Sequence, residues 1–272
     1  MVIGYSISLW AFWLTDGNAN PYSTTFLALV AILAVGFLGL AVRKLRPWLA
    51  LATVALSFQV IAAPIDAVAD SNGALSLFDL DRYVWGLNLT GWVQRTFSSG
   101  ALTAAASVIY TALVPIVLSA ALLLWRRHRS VFSRFVVAMV LTSALALATF
   151  VLMPTVPPWL GGAADNLVHD SGLGALTAFV VPDYFASFPS LHAAYTLTCA
   201  YFLLRLDRRL GLAATLAAGV TVFSTMYLGQ HYAVDLIGGA AYSLVPCILA
   251  ERLLPGATVA AYLGPAERAP LL

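Results

Sequence analysis

Residues 135–153 read FVVAMVLTSALALATFVLM, nineteen residues without one charged side chain. A helix rises about 1.5 Å per residue, so roughly twenty apolar residues in a row span the hydrocarbon core of a bilayer. This stretch therefore predicts a transmembrane helix, and with it a chain that folds in lipid.

The rest of the chain has the same character. Hydrophobic residues make up 61% of its 272 residues and charged residues 10%, with a mean hydropathy of +0.89. Soluble domains carry roughly 25% charged residues. Because the apolar runs extend along most of the chain, we predict one membrane domain over residues 1–272. The net charge of +2 is too small to indicate a nucleic-acid partner. Cys199 and Cys247 fall inside apolar runs, which favours buried free thiols over a disulfide or a metal site.

The apolar runs predict an all-α fold, a polytopic membrane helix bundle with about seven transmembrane helices, or six to eight. The predicted spans are Thr25–Val42, Trp48–Ile65, Ala101–Trp125, Phe135–Met153, Ser190–Leu204, Leu210–Leu228 and Ala233–Ala250. Residues 1–14 are apolar but short for a span, and they lack the features of a cleaved signal peptide. We interpret them as an interfacial helix anchored by Trp10 and Trp13; if they cross instead, the other spans keep their orientation.

Charged residues segregate to the two sides of these spans. If the spans alternate, one side receives Arg43, Lys44, Arg46, Arg126, Arg127, Arg129, Arg134, Arg205, Arg208, Arg209 and Arg252. The other side holds eight aspartates and two basic residues, Arg82 and Arg95. The positive-inside rule makes the arginine-rich side cytoplasmic. We expect an integral membrane protein, and the Ala/Leu/Val-rich composition suggests a bacterial inner membrane.

Two predicted loops on the outer side are long, residues 66–100 and 154–189. In the first, apolar residues recur at near-helical spacing among polar ones: Leu80, Tyr83, Val84, Leu87 and Trp92. This pattern predicts an amphipathic helix that lies on the outer surface of the membrane.

Two of the four histidines lie where predicted helices meet the outer side. In the sequence SFPSLH at 187–192, Pro189 suits the first turn of a helix. The free N–H groups of that turn, with the Ser190 hydroxyl, would form an anion site. His192 would then lie one turn in, placed to give a proton to a leaving group. The alternative is a capped helix start that carries an incidental histidine.

The second histidine belongs to the sequence YLGQHYAVD at 227–235. His231 and Asp235 are four residues apart, so in a helix they share one face. A carboxylate that holds one imidazole nitrogen leaves the other free to attack or to abstract a proton. The alternative is a buried pair that only stabilises a helix end. Gly238-Gly239, one turn further on, would let another helix approach closely.

Together the two segments predict chemistry on a phosphate ester bound between two helix starts. His231 would be the nucleophile, Asp235 would orient it, and His192 would protonate the departing oxygen. The resulting phosphohistidine would pass its phosphoryl group to water or to an alcohol. This scheme requires no metal ion and no other cofactor.

At these residues the chain resembles the type-2 phosphatidic acid phosphatase superfamily. PSLH at 189–192 matches the second motif of that superfamily, Pro-Ser-x-His. Ser224, His231 and Asp235 match the third motif, but Thr225 stands where an arginine belongs. The first motif, Lys-x6-Arg-Pro, is not recognisable at the expected place.

In these departures from the motifs, the chain is similar to the branch that contains inositol phosphorylceramide synthase and, more distantly, sphingomyelin synthase. MPTVPPW at 153–159 is similar to a proline-rich motif of the inositol phosphorylceramide synthases, and residues 81–94 to a region upstream of it. The resemblance covers residues 75–245 and implies a catalytic core there, with His192, His231 and Asp235 as catalytic residues. Contacts with the substrate are expected from Ser190, Arg82, Arg95, Tyr227, Pro158 and Trp159.

The two missing arginine motifs favour a phosphodiester substrate. A phosphomonoester carries close to two negative charges and needs several fixed cations, whereas a diester carries one charge. We therefore predict a phosphotransferase that moves the phospho-headgroup of a phospholipid to a lipid alcohol. The alternative is a lipid phosphate phosphatase that acts on phosphatidate or a polyprenyl phosphate, with water as acceptor. A transporter that uses a His231–Asp235 proton relay is disfavoured, because the polar residues cluster at one membrane face and not at the midplane.

Overall fold

The computed structural model describes residues 47–55, 57, 65, 69, 73–170 and 185–254. The predicted span Thr25–Val42 and the predicted interfacial helix at 1–14 lie outside the described residues. Residues 56 and 58–64 of the predicted span Trp48–Ile65 lie outside them as well, and its described residues 48–55, 57 and 65 are helical.

From residue 73 onward the described chain is built almost entirely of helices. The helices are α1 (Phe78–Trp85), α2 (Leu89–Thr96), α3 (Gly100–Thr111), α4 (Leu113–Arg127), α5 (Arg129–Leu152), α6 (Leu167–Asp170), α7 (Leu191–Leu206), α8 (Arg208–Tyr227) and α9 (Ala233–Leu253). Two short strands, β1 (Leu75–Ser76) and β2 (Thr155–Val156), pair in parallel. This small ladder is an addition to the predicted all-helical fold, and it joins the two long loops at the same end of the bundle.

Three helices, α5, α8 and α9, are long and apolar enough to cross a membrane, and α3 with α4 would make a fourth span bent by 49°. They match four of the predicted spans. The helix α7 matches a fifth, but its 16 residues fall short of the roughly twenty that a straight crossing needs. The described part of the chain thus holds three or four candidate spans, and the number of seven stays a prediction.

The main apolar core lies toward the arginine-rich end of the bundle, where α4, α5, α7 and α9 pack together. Arg134 donates from Nε to the Leu254 carbonyl at 2.8 Å, and Arg205 pairs with Glu251 at 3.2 Å. These contacts tie the ends of α5, α7 and α9 to one level. Both cysteines are buried and free, as their apolar surroundings predicted.

The predicted amphipathic helix is two helices. Gly86 adopts a left-handed conformation with φ of 72° and ends α1, and the Asn88 side chain then caps α2 by accepting from the Gly91 N–H. The prediction of one continuous helix was therefore wrong, because a left-handed glycine stops the helical hydrogen-bond pattern. The apolar residues of the pair are exposed nonetheless, with Tyr83 at 87% and Trp92 at 46% of their surface.

The first turns of α7 and α9 approach to backbone contact. A Cβ atom added at Gly239 of α9 would meet the Ser190 carbonyl oxygen and lie 2.9 Å from the Cβ of Ala193. The Ser190 N–H also donates to the Asp235 carbonyl at 3.0 Å. As the Gly238-Gly239 pair predicted, small residues here let a second helix come close, and this contact brings the two histidine segments together.

We expect Gly239→Ala to lower the melting temperature in detergent, because overpacking at a tight helix contact costs roughly 1–3 kcal/mol. Gly219→Ala is the matched control, since a Cβ at Gly219 of α8 meets nothing within 4 Å. Alanine is the better helix former, so the control variant should melt at the wild-type temperature or slightly above it. Equal melting temperatures for the two variants would show that the contact at Gly239 does not hold α7 against α9.

Candidate active site

His192 and His231 lie side by side at the end of the bundle opposite the arginine-rich end. Their ring centres are 6.0 Å apart, although 39 residues of sequence separate them. The Nδ1 atom of His231 faces Oδ2 of Asp235 at 3.6 Å. The structure thus brings together the three residues predicted to be catalytic, near enough for both rings to contact one bound group.

The contact between His231 and Asp235 arises from the start of α9 and not from a shared helix face. The helix begins at Ala233 with Tyr232 as its N-cap, so His231 lies outside it. Oδ2 of Asp235 accepts the Tyr232 N–H at 2.8 Å, which turns the carboxylate back toward His231. The predicted contact between His231 and Asp235 is present, but its predicted cause, a shared helix face, was wrong because His231 precedes the helix.

Asp235 is fully buried, and its carboxylate is only partly satisfied. Ser187 donates its hydroxyl to Oδ2 at 2.7 Å. Oδ1 of Asp235 and Nδ1 of His231 are buried and lack a hydrogen-bond partner among the described residues. The 3.6 Å contact between Nδ1 and Oδ2 is longer than a hydrogen bond, and a small rotation of the His231 ring would close it. Such loose hydrogen bonding is common in active sites that have no bound substrate.

His192 lies in the first turn of α7, behind an N-cap. The Ser190 hydroxyl oxygen is that cap and accepts the Ala193 N–H at 3.3 Å. The His192 ring stacks on Tyr110 with ring centres 4.3 Å apart, and its Nε2 lies 3.3 Å from the Tyr110 carbonyl oxygen. Sequence reasoning missed Tyr110, because it lies 82 residues away inside a predicted span.

The model of the PAP2 superfamily, which is the superfamily of type-2 phosphatidic acid phosphatases, matches residues 75–249. The chain belongs to the PAP2 superfamily. It is also 31% identical over 186 residues to an inositol phosphorylceramide synthase of Candida albicans, covering 61% of this chain and 39% of that protein. The chain therefore spans about two fifths of the length of that relative. No solved structure matches. Membership of this superfamily supports a phosphatase or phosphotransferase activity.

The position where the PAP2 third motif has an arginine is occupied by Thr225, which is fully buried. Its hydroxyl donates to the Val222 carbonyl at 2.9 Å within α8. Thr225 therefore faces its own helix and supplies no positive charge to the site.

The helix start that was predicted to bind an anion on α9 is already occupied by a carboxylate of the protein. Oδ1 of Asp81, in α1, accepts the Val234 N–H at 3.0 Å. Burial raises the pKa of the Asp81 carboxyl, and Asp235 nearby adds to the increase, while the bond from Val234 opposes it. The Val234 amide is therefore not available to bind a phosphate group. Ser190 can still donate its hydroxyl hydrogen, because the cap uses only its oxygen.

The helix α2 fastens the turn that carries His231. Thr90 donates its hydroxyl to the His231 carbonyl at 3.4 Å. The Gln94 side chain donates to the carbonyls of Tyr227 and Asp165, both at 2.9 Å, and accepts the Asp165 N–H. Both donors lie in the segment 81–94 that resembles the family, but only the tertiary structure gives them this bracing role.

The proline-rich segment covers the same turn. Pro158 is buried, and the backbone N–H of Trp159 donates to the Gly229 carbonyl at 3.2 Å. Gly229 has a φ of 77°, and a Cβ there would collide with the Asp165 carbonyl, so the turn requires glycine. Pro158 and Trp159 thus lie next to the turn that carries His231, and their contact with substrate stays a prediction.

The other residues predicted to bind substrate differ in placement. Arg82 and Arg95 are exposed on α1 and α2, in the helix pair beside the site. The Tyr227 ring is fully buried, and its hydroxyl is hydrogen-bonded to Thr103 at 2.8 Å. Tyr227 thus has its polar group already paired in the core, and its ring stacks on Phe223. Its contact with substrate stays a prediction.

We expect Ser187→Ala to lower kcat for phospholipid turnover about tenfold, because a hydrogen bond to a charged group contributes roughly 1.5–3 kcal/mol. Ser107→Ala is the matched control, since the buried Ser107 hydroxyl has no hydrogen-bond partner in the described part of the chain. Initial rates of headgroup release in detergent micelles measure both variants. If they lose activity equally, Ser187 is not needed to hold the Asp235 carboxylate.

Proposed function

We propose that this chain is a membrane-embedded lipid phosphotransferase that moves the phospho-headgroup of a phospholipid to a lipid alcohol. The convergence of His192 and His231 beside the buried Asp235 is the observation that carries the proposal. The exposed apolar side chains of α1 and α2 lie next to this site and suit the membrane interface, where a phospholipid headgroup is found.

The reaction would proceed in two displacements. Nε2 of His231 attacks the phosphorus atom, the bond to the diacylglycerol oxygen breaks, and His192 gives that oxygen a proton. Asp235 holds the Nδ1 hydrogen of His231 and stabilises the positive charge that the ring acquires as it becomes phosphohistidine. In the second displacement His192 takes the proton of the acceptor hydroxyl, whose oxygen attacks the phosphorus and releases His231.

The small number of cationic side chains at this end of the bundle supports a diester substrate. Thr225 replaces the family arginine, and the side chains of Asp81 and Asp235 add negative charge close to the histidines. A doubly charged monoester would be repelled more strongly than a diester. The similarity to a protein named inositol phosphorylceramide synthase also supports transfer to a lipid, because that name describes the synthesis of a phosphodiester lipid.

The proposal also covers the membrane in which the enzyme lies, its need for cofactors and its substrates. Arginines at the far end, among them Arg126, Arg127, Arg208 and Arg209, support a site on the extracytoplasmic face, and the Ala/Leu/Val-rich composition supports a bacterial inner membrane. Nucleophile, orienting carboxylate and proton donor are all side chains of this chain, so we propose chemistry without a metal ion or other cofactor. Phospholipid and lipid alcohol would be its partners, and water as acceptor would make the same site a phosphatase.

Purified protein should move label from a phospholipid labelled in its headgroup phosphate to an added lipid alcohol such as ceramide. His231→Ala should abolish transfer, since the nucleophile is lost, whereas His128→Ala, at the arginine-rich end, should retain it. Thin-layer chromatography separates labelled lipid from water-soluble label. Release of label only as the water-soluble phospho-headgroup would show that water is the acceptor, and a fully active His231→Ala variant would disprove the histidine mechanism.

We expect Arg82 and Arg95 to attract the phosphate or its headgroup. The double variant Arg82→Gln with Arg95→Gln should raise KM about tenfold with a smaller change in kcat, because these charges act on binding and not on bond breaking. Arg208→Gln with Arg209→Gln is the control, since both residues are exposed at the opposite end of the bundle. An unchanged KM in the Arg82 and Arg95 variant would remove both residues from the site.

A further inference from the structure

The break between α3 and α4 exposes backbone groups inside the bundle. The chain bends by 49° at Ala112. Pro115 is the third residue of α4, and without an N–H it cannot bond to the Thr111 carbonyl four residues back. The regular pattern resumes where Ile116 donates to the Ala112 carbonyl at 2.9 Å. The last carbonyls of α3 are therefore available to partners from other helices.

One of these carbonyls belongs to Tyr110, and its partner is His192. Nε2 of His192 lies 3.3 Å from the Tyr110 oxygen, while the two rings stack with an angle of 17° between their planes. A single residue thus holds the imidazole by its face and by one of its nitrogens. The Tyr110 ring also packs against the apolar cluster that contains Tyr227 and Leu228, close to the turn that carries His231.

This contact determines which nitrogen of His192 can do chemistry. A carbonyl oxygen only accepts hydrogen bonds, so Nε2 carries the hydrogen in this contact. Nδ1 is then the atom that can give a proton to the substrate or take one from it. The His231 ring lies 6.0 Å away, so a group bound between the two rings would be within reach of both.

We propose that Tyr110 is a positioning residue for His192, holding Nε2–H with its carbonyl and the ring plane with its phenol ring, so that Nδ1 delivers the proton. As the new N–P bond forms at His231, the P–O bond to the departing alcohol breaks, its electron pair stays on the oxygen, and that oxygen takes the Nδ1 proton. In the transfer step the acceptor hydroxyl returns a proton to Nδ1 as its oxygen bonds to phosphorus, and the N–P bond breaks with its electron pair returning to Nε2 of His231. This inference rests on the proposed function and adds the atom that acts and the residue that holds it.

Two substrates with different leaving groups can distinguish a role of Tyr110 in positioning the acid His192 from a role in packing alone. An alkyl alcohol must be protonated as it departs, whereas p-nitrophenolate departs without a proton. The full-length enzyme would be assayed on a phospholipid and on the p-nitrophenyl diester of the same phospho-headgroup. The variants are Tyr110→Ala, which removes the stack, and Pro115→Ala. The new N–H of Pro115→Ala can bond to the Thr111 carbonyl and let the helix continue, which brings the Val114 N–H onto the Tyr110 carbonyl. Tyr110→Phe is the matched control, because it keeps both ring and carbonyl.

We expect Tyr110→Ala and Pro115→Ala to lower kcat for the phospholipid about ten- to hundredfold, since general acid catalysis contributes roughly 10²–10⁴-fold. Turnover of the p-nitrophenyl diester should fall less than about threefold, and Tyr110→Phe should behave as wild type on both substrates. Pro115→Ala leaves the Tyr110 ring in place, so it tests the carbonyl even if Tyr110→Ala does not fold.

Equal losses on both substrates, or no loss on either, would overturn the positioning role while wild-type turnover of the diester still supports the proposed function. If wild type instead hydrolyses only phosphomonoesters, the proposed function fails. The same variants are then compared on an alkyl phosphate and on p-nitrophenyl phosphate. A selective loss on the alkyl phosphate would support the role of Tyr110, and equal losses would overturn it.

Discussion

The Asp235 carboxylate and its peptide group are the point on which the site depends. Oδ2 accepts the Tyr232 N–H and the Ser187 hydroxyl, and it faces His231. The backbone carbonyl of the same residue accepts the Ser190 N–H. One residue therefore joins the segment before α7 to the segment before α9, and the distance between the two histidines follows from that junction.

Burying an anion beside a membrane demands compensation. Removing a carboxylate from water costs several kcal/mol, which only hydrogen bonds or opposite charge can offset. The first turn of α9 offers both, because its free N–H groups point at the carboxylates and its dipole is positive at that end. Two carboxylates use this helix start, Asp235 from within and Asp81 from α1. The site is thus held by negative charges, which supports the proposed substrate of low charge.

The helices around the site also present apolar surface that suits contact with lipid. The helices α1 and α2 have polar side chains toward the turn that carries His231 and large apolar side chains exposed, among them Tyr83 and Trp92. The bent α3–α4 pair brings Tyr110 against His192 from the other direction. The two histidines therefore lie between a helix pair with an exposed apolar surface and the bend of α3 and α4.

The sequence by itself predicted the membrane environment, the long apolar helices of the described chain and the residues that converge at the site. Hydropathy and helix starts are local properties, so apolar runs and a Pro-Ser-x-His segment are readable without a fold. Contacts between distant residues are not readable in this way. Ser187 reaches Asp235 across 48 positions, Tyr110 reaches His192 across 82, and Asp81 reaches Val234 across 153. Those pairings depend on how helices cross, and the crossing of α7 and α9 is set by backbone contact at Gly239, which only the tertiary structure decides.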